Sequence, residues 1–173
     1  MDIPINMRDQ VYEVTSKRQI ELLRYMLIIH GIIIFAYLFH YGFTIQVFLL
    51  KAYVCLLFFD VLPTIILHLQ YLRANRNAIL VVRDQQRTLS YSRNGERFEY
   101  SFDDIDQIFY VAGWGNDQWY SFSDYRYFVL AFKDGRKILI TCLMIKFTRQ
   151  SLESMFGIEI PIKRRPPFPF IRK

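Results

Sequence analysis

The chain has 173 residues, of which 53% are hydrophobic and 17% aromatic, and its formal net charge is +6. This composition excludes a disordered chain, and the presence of only two cysteines, far apart, excludes a disulfide-framework protein. From Tyr25 to Leu50 there are 26 residues without Asp, Glu, Lys or Arg. About 20 apolar residues can cross a bilayer core, so an ordinary soluble globule is excluded as well.

Residues 1–21 are polar and are interpreted as a cytosolic N-terminal segment. Val11, Val14 and Ile20 follow a spacing close to that of a helix, beside Lys17 and Arg18. This pattern fits an amphipathic helix on the inner membrane surface, or a short strand that enters the soluble domain. The residues do not distinguish the two.

Residues 22–72 are predicted to form a transmembrane helical hairpin. The first span runs from Leu22 to Thr44, and the second from about Gln46 to Tyr71, with a short turn around Gly42. Positively charged residues flank cytoplasmic ends of spans. They predict a multi-pass protein of the inner (cytoplasmic) membrane with both termini in the cytosol. Five such residues flank the outer ends of the hairpin against Lys51 near the turn: Lys17, Arg18, Arg24, Arg73 and Arg76.

Asp60 lies near the midpoint of the second span, where an ionised carboxylate is costly and often marks function. One interpretation is a proton site or a contact to another protein. The other is an Asp packed inside the hairpin, hydrogen-bonded to His30, His40, Tyr25 or Tyr37. Both remain open at this point.

After Arg76 the sequence alternates between apolar and polar residues, which is typical of strands. Strands are predicted over 78–82, 87–92, 97–102, 105–111, 125–133 and 136–143. Asn94-Gly95 and Asp134-Gly135 predict tight hairpins, because these residues tolerate positive φ. A helix is predicted over 148–156, with Thr148 as its N-cap and Gly157 closing it. The expected fold class is therefore α+β: a helical hairpin, then an antiparallel β-barrel or sandwich capped by one C-terminal helix.

This order resembles bacterial membrane proteins in which two transmembrane helices precede a pleckstrin-homology-like (PH-like) domain. The segment 101–108 (SFDDIDQI) is similar to the entry into a middle strand of such domains, and 128–140 (FVLAFKDGRKILI) resembles a later hairpin. The resemblance implies a PH-like domain over 73–157 that serves as a non-enzymatic scaffold with a basic or aromatic recognition surface. It does not identify a ligand.

The segment 113–126 (GWGNDQWYSFSDYR) is unusually rich in aromatic residues and is predicted to be the partner-binding surface. Trp and Tyr often form the central anchors of protein interfaces. The alternative is that alternate members face the domain core. The predicted partner-binding residues are Trp114, Trp119, Tyr120, Phe122 and Tyr125.

Residues 158–173 form a basic tail rich in Pro and Phe, in which Pro166, Pro167 and Pro169 favour an extended form. The charge is concentrated after residue 72, where 17 basic and 11 acidic residues account for the whole net charge. The tail is expected to lie on anionic lipid or along the domain. The predicted lipid-surface residues are Arg73, Arg76, Lys163, Arg164, Arg165, Arg172 and Lys173.

The sequence offers little for catalysis, so no enzyme activity, catalytic residue or cofactor is predicted. No histidine follows His68, which leaves the β domain without a Ser-His or Cys-His pair, and there is no phosphate-binding glycine motif. Asp103, Asp104 and Asp106 could ligate a divalent cation, but their spacing fits capping at a strand entry better, and no metal is predicted. Nucleic acid is not an expected partner, because no recognition motif accompanies the basic charge.

Three functions fit these observations. The first is a membrane-anchored binding or regulatory module that presents the PH-like domain to a protein partner or anionic lipid at the cytosolic face. The second is an immunity protein that neutralises a bacterial toxin. The third, a transporter or enzyme component using Asp60, ranks last because one intramembrane carboxylate defines no transport route.

Overall fold

The computed structural model describes residues 9–44, 46–113, 122–160 and 168–171. The helices are α1 (Ser16–Tyr41), α2 (Val47–Leu56), α3 (Leu62–Asn75) and α4 (Arg149–Phe156). The strands are β1 (Gln10–Glu13), β2 (Ala78–Arg83), β3 (Thr88–Arg93), β4 (Glu96–Ser101), β5 (Ile105–Ala112), β6 (Arg126–Phe132) and β7 (Lys137–Thr141). They form two antiparallel sheets, in the orders β1-β2-β3-β4 and β5-β6-β7.

The tight turns confirm the predicted hairpins. Asn94 and Gly95 have φ values of 52° and 87°, so both central residues occupy the positive-φ region that a type I′ turn requires. At the second turn Gly135 has a φ of 85°. Between the sheets, the segment predicted at the strand entry forms a short 3₁₀ turn, Phe102–Asp104. There Asp104 accepts a hydrogen bond from the Ser101 backbone N–H at 2.8 Å. Asp104 therefore acts in capping.

The β domain does not start after the helices, which corrects the predicted order. Strand β1 precedes them and pairs with β2, with Gln10 opposite Val82 and Glu13 opposite Ile79. Of the two interpretations of residues 1–21, the short strand is the one observed for 10–13. The helices are thus inserted between the first two strands of one sheet, and the domain boundary predicted at residue 73 does not separate two units.

The two predicted spans are helices, one over Ser16–Tyr41 and the other over Val47–Asn75. At 26 and 29 residues, both are long and apolar enough to cross a membrane. The second contains one π-helical turn, Leu57–Val61, between α2 and α3. Asp60 lies in this turn, and Pro63 follows it. A π-helical turn and a proline are both known causes of local helix distortion. Gly42 ends α1 with a φ of 59°, at the predicted turn.

The core lies between the two sheets and α4. Strands β6 and β7 contribute the fully buried Leu130 and Ile140, and α4 contributes Leu152 and Phe156. The Thr148 side chain caps α4 by accepting the Ser151 backbone N–H at 3.1 Å, and Gly157 closes it in the left-handed conformation, as predicted.

Candidate functional site at the base of the helices

The ends of the helical hairpin belong to the core of the β domain. Leu22 of α1 and Leu67 and Tyr71 of α3 are at most 1% exposed and join the same buried cluster as the strand residues. These residues lie on the helix faces turned toward the sheets, whereas the rest of the hairpin is largely exposed. We refer to this region, where α1 and α3 meet the sheets, as the helix–sheet junction.

Asn75 fixes α3 to the sheet at the last turn of the helix. Its side-chain amide donates to the Leu139 carbonyl at 2.8 Å, and its side-chain oxygen accepts the Thr141 backbone N–H at 2.9 Å. Asn75 is fully buried and bonds β7 much as a neighbouring strand would. On the other helix, the Arg18 guanidinium donates to the Cys142 carbonyl at 2.9 Å. Both ends of the hairpin are therefore tied to the segment 139–142.

A cluster of tyrosines fills the junction. Tyr71 packs edge-to-face against Tyr125 and Tyr127, with ring centroids 5.5 Å and 6.0 Å apart. The Tyr125 hydroxyl lies 2.9 Å from His68 Nδ1. Burial raises the pKa of Tyr125 far above its usual value, so the hydroxyl keeps its proton at all physiological pH values.

Tyr125 is therefore a core residue, which corrects its predicted place on the partner-binding surface. It is fully buried, and a side chain without exposed area cannot contact a partner. Phe122 is partly buried and packs against Phe168 of the tail, with ring centroids 4.7 Å apart. Trp114, Trp119 and Tyr120 lie outside the described residues, and their role in partner binding stays a prediction.

Part of the tail lies along the domain, as one of the two expectations had it. Residues 168–171 return to the helix–sheet junction, where Pro169 is buried and Phe168, Phe170 and Ile171 are partly buried. The Tyr71 hydroxyl donates to the Pro169 carbonyl at 2.7 Å. This partner of Tyr71 was not predicted, since the two residues are 98 positions apart in the chain.

The predicted lipid-surface residues fall into two groups. Arg73 and Arg76 are exposed at the base of α3. The others lie outside the described residues: Lys163, Arg164, Arg165, Arg172 and Lys173. Their contact with lipid remains a prediction.

Asp60 faces the first helix and takes part in a polar cluster within the hairpin. Its Oδ2 lies 3.3 Å from His30 Nε2, and His30 Nδ1 lies 3.3 Å from the Tyr53 hydroxyl. His30, which is 8% exposed, was among the partners expected for Asp60; Tyr53 was not. The Thr64 hydroxyl donates to the Asp60 carbonyl at 2.7 Å, across the π-helical turn. Through His30, this cluster joins the two helices at one position along their length.

No arrangement for metal binding is present among the described residues. Nowhere in the ranges 9–44, 46–113, 122–160 and 168–171 do three or more His, Cys, Asp or Glu side chains converge. Cys142 is buried, and burial raises the pKa of its thiol to about 11, so it stays protonated near neutral pH. The junction can therefore hold and orient segments of chain, through hydroxyl and amide groups and aromatic rings.

Comparison with known proteins agrees with this architecture. No curated protein and no solved structure matches the chain. A family model described as a PH domain matches residues 11–150, a range that begins within β1, contains both long helices and extends into α4. Because the match covers most of the 173 residues and includes both sheets, the chain belongs to this PH domain family.

Proposed function

We propose that the chain is a non-enzymatic, membrane-anchored binding module whose helical hairpin crosses the bilayer and holds the PH domain against its cytosolic face. The observation that carries the proposal is the exposure of the hairpin. Among the described residues, all but two of the large apolar side chains that are exposed lie between Ile20 and Leu69; the exceptions are Val11 and Ile79. Exposed apolar area on this scale marks a membrane or protein interface.

The insertion of the hairpin into a sheet supports the proposed topology. Because β1 precedes the helices and pairs with β2 after them, both ends of the hairpin lie on one side of any membrane that it crosses. The flanking positive charges favour the cytosol for that side. Lys51, exposed in the first turn of α2, is close enough to the hairpin turn to extend its ammonium to the far surface.

The location of the PH domain supports a binding role at the membrane surface. Arg73 and Arg76 lie exposed where α3 leaves the domain, so they would face the headgroup layer. Each basic residue near anionic lipid contributes about 1 kcal/mol of attraction. The aromatic segment 113–126 begins directly after β5, and we propose that Trp114, Trp119 and Tyr120 contact a protein partner.

Cysteine labelling in intact cells tests the topology. The variants carry a single cysteine in the hairpin turn (Thr44→Cys), in the β2–β3 turn (Gln86→Cys) or at the native Cys55, the other native thiols being replaced by serine. All three positions are exposed on the protein surface. We expect a membrane-impermeant maleimide to label Thr44→Cys from outside, and Gln86→Cys only after lysis. Cys55 should stay unlabelled in both cases, because lipid covers it.

Two outcomes would contradict the proposal in different ways. Labelling of Cys55 as fast as Thr44→Cys would mean that water surrounds the helices. Labelling of Gln86→Cys from outside would reverse the orientation and remove the cytosolic role. A fourth variant, which keeps only the buried Cys142, is the control, since the raised pKa of this thiol and its lack of exposure keep it unreactive until the domain unfolds.

A further inference from the structure

The segment 168–171, here called the tail segment, is held mainly through its backbone. The Tyr71 hydroxyl donates to the Pro169 carbonyl at 2.7 Å, and the Tyr127 hydroxyl to the Phe170 carbonyl at 3.5 Å. The Ile171 backbone N–H donates to Gln70 Oε1 at 3.2 Å. Three successive residues of the tail are thus bonded by side chains of α3 and β6. The backbone turns at Pro169, where the Phe170 N–H donates to the Phe168 carbonyl at 2.9 Å. The side chains of α3 and β6 therefore hold a γ-turn through its backbone groups.

The side chains of the tail segment supply the apolar part of the contact. Phe168 packs edge-to-face on Phe122 at 4.7 Å, and its ring centroid lies 5.7 Å from that of Phe170. Pro169, the residue between them in the chain, is buried, and its carbonyl accepts from Tyr71. Proline fixes φ near about −65° in the free chain, a value that suits an inverse γ-turn, so an aromatic–proline–aromatic segment loses less entropy when it binds. We call the surface that it covers, formed by Gln70, Tyr71, Phe122 and Tyr127, the tail groove.

We propose that the tail groove is a peptide-docking site, filled in cis by the chain's own tail, that also accepts a protein partner offering a turn with two aromatic residues around a proline. The proposal rests on the proposed function, because it names the partner chemistry of the binding module. The tail segment itself shows which occupant the groove accepts. The groove also includes Phe122, one of the residues predicted for partner binding from the sequence.

Because the tail occupies the groove in cis, a partner segment must compete with it. A segment tethered by a short linker has an effective concentration in the millimolar range, so a partner segment of similar affinity reaches the groove only when the tail leaves it. Anionic headgroups also attract the basic residues on both sides of the tail segment, among them Lys163 and Arg172. The tail is thereby an internal inhibitor that binding partners must displace.

A cleavable tail tests the proposal on the full chain. A protease site inserted between Ile160 and Phe168 lets the protein fold first and lose its tether afterwards. The chain is held in nanodiscs of neutral phosphatidylcholine, so that charge does not draw the probe to lipid. The probe is a fluorescent peptide of residues 163–173, and its binding is measured by anisotropy. We expect the cleaved and washed chain to bind the probe about tenfold more tightly than the intact chain.

Matched controls separate groove binding from adhesion. A probe with Phe168→Ala and Phe170→Ala keeps the charge and should bind at least tenfold more weakly to the cleaved chain. On the protein, Gln70→Ala removes the acceptor for the Ile171 N–H and should weaken binding of the normal probe, whereas Gln86→Ala, on the β2–β3 turn, should leave it unchanged. Circular dichroism and thermal melting follow the fold of each cleaved sample.

Three results would overturn the proposal. One is a folded, cleaved chain that does not bind the probe, and another is equal binding of the two probes. The third is unfolding upon cleavage, which would make the tail an indispensable part of the core. None of these results alters the labelling pattern of Cys55, Thr44→Cys and Gln86→Cys, so failure of the groove and failure of membrane anchoring are distinguishable.

Discussion

Similar apolar residues are exposed to the surroundings in the helical hairpin and buried in the β domain. In the β domain, Phe128 is 1% exposed and Phe147 packs on it at a centroid distance of 4.7 Å. In the hairpin, Phe39 is 85% exposed and its ring stacks only along its own helix, on Phe35. The first arrangement excludes water by close packing, and the second leaves the apolar surface uncovered by the chain itself. The helix–sheet junction is where the two arrangements meet.

The largest expected effect comes from a phenylalanine truncation made in each region. Phe128→Ala removes a ring from the closed core and should lower the free energy of unfolding by about 3–5 kcal/mol, enough to unfold a domain of this size. Phe39→Ala should change it by less than about 0.5 kcal/mol, since Phe39 is 85% exposed and loses only its stacking on Phe35. Thermal melting in detergent micelles measures both. Equal losses for the two variants would mean that the hairpin surface is packed against protein.

The next effect concerns the tie between the two regions. Asn75→Ala leaves the Leu139 carbonyl and the buried Thr141 N–H without the partners that Asn75 supplies, and should cost about 2–4 kcal/mol. We also expect faster hydrogen exchange in β7, whose edge becomes unprotected. The exposed Gln86→Ala serves as the control and should leave both quantities unchanged. A stable variant with unaltered exchange would show that Asn75 does not fix α3 to the sheet.

A smaller effect is expected inside the hairpin. A double-mutant cycle with Asp60→Asn and His30→Gln isolates the contact between Asp60 and His30, for which coupling of about 0.6 kcal/mol is typical of polar pairs between membrane helices. The β domain should melt normally in all three variants, because the pair lies far along the helices from the junction. Coupling above about 2 kcal/mol would favour a functional role for Asp60 over simple packing.

The smallest effect is a pH dependence at the end of the β domain. The Ile160 backbone N–H, bonded to Glu153 at 3.0 Å, and Arg149, at 2.8 Å, lower the pKa of the Glu153 carboxyl from its usual value of 4.5. Its contribution to stability is therefore present above pH 4.5 and is lost as the pH falls through the lowered pKa. Glu153→Gln should melt at a lower temperature than the native chain at pH 7, and the difference should shrink as the pH is lowered below 4.5. A difference that stays constant over a pH titration below 4.5 would contradict the assignment.

Local chemistry allowed much of the fold to be predicted from the sequence. Asn94-Gly95 specifies a turn whatever surrounds it, and Thr148 and Gly157 mark both ends of α4. Strand β1 could not be predicted with the same certainty, because four residues carry little periodicity and 64 residues lie between β1 and its partner β2. Pairing across such a distance leaves no local signal in either segment.

The candidate site was harder to predict than the fold. The sequence indicated an aromatic surface, but Phe122 and Tyr125 differ only in which way the backbone turns them: one reaches the tail and the other the core. The same holds for Asn75, whose role depends on the distance between the end of α3 and the edge of β7. Such roles follow from tertiary packing, which overrides the local preference of a residue.

The position of β1 has a consequence for synthesis of the protein. Residues 14–77 must leave the ribosome between β1 and its partner, which takes between about 3 and 13 seconds at ordinary elongation rates. During that interval the two helices emerge, and β1 has not yet met β2. The first sheet closes only after the hairpin has turned back on itself and brought its two ends together. The PH domain is therefore complete only when the hairpin has been correctly assembled. A chain whose second helix fails to return would expose an unpaired strand to the cell's proteases.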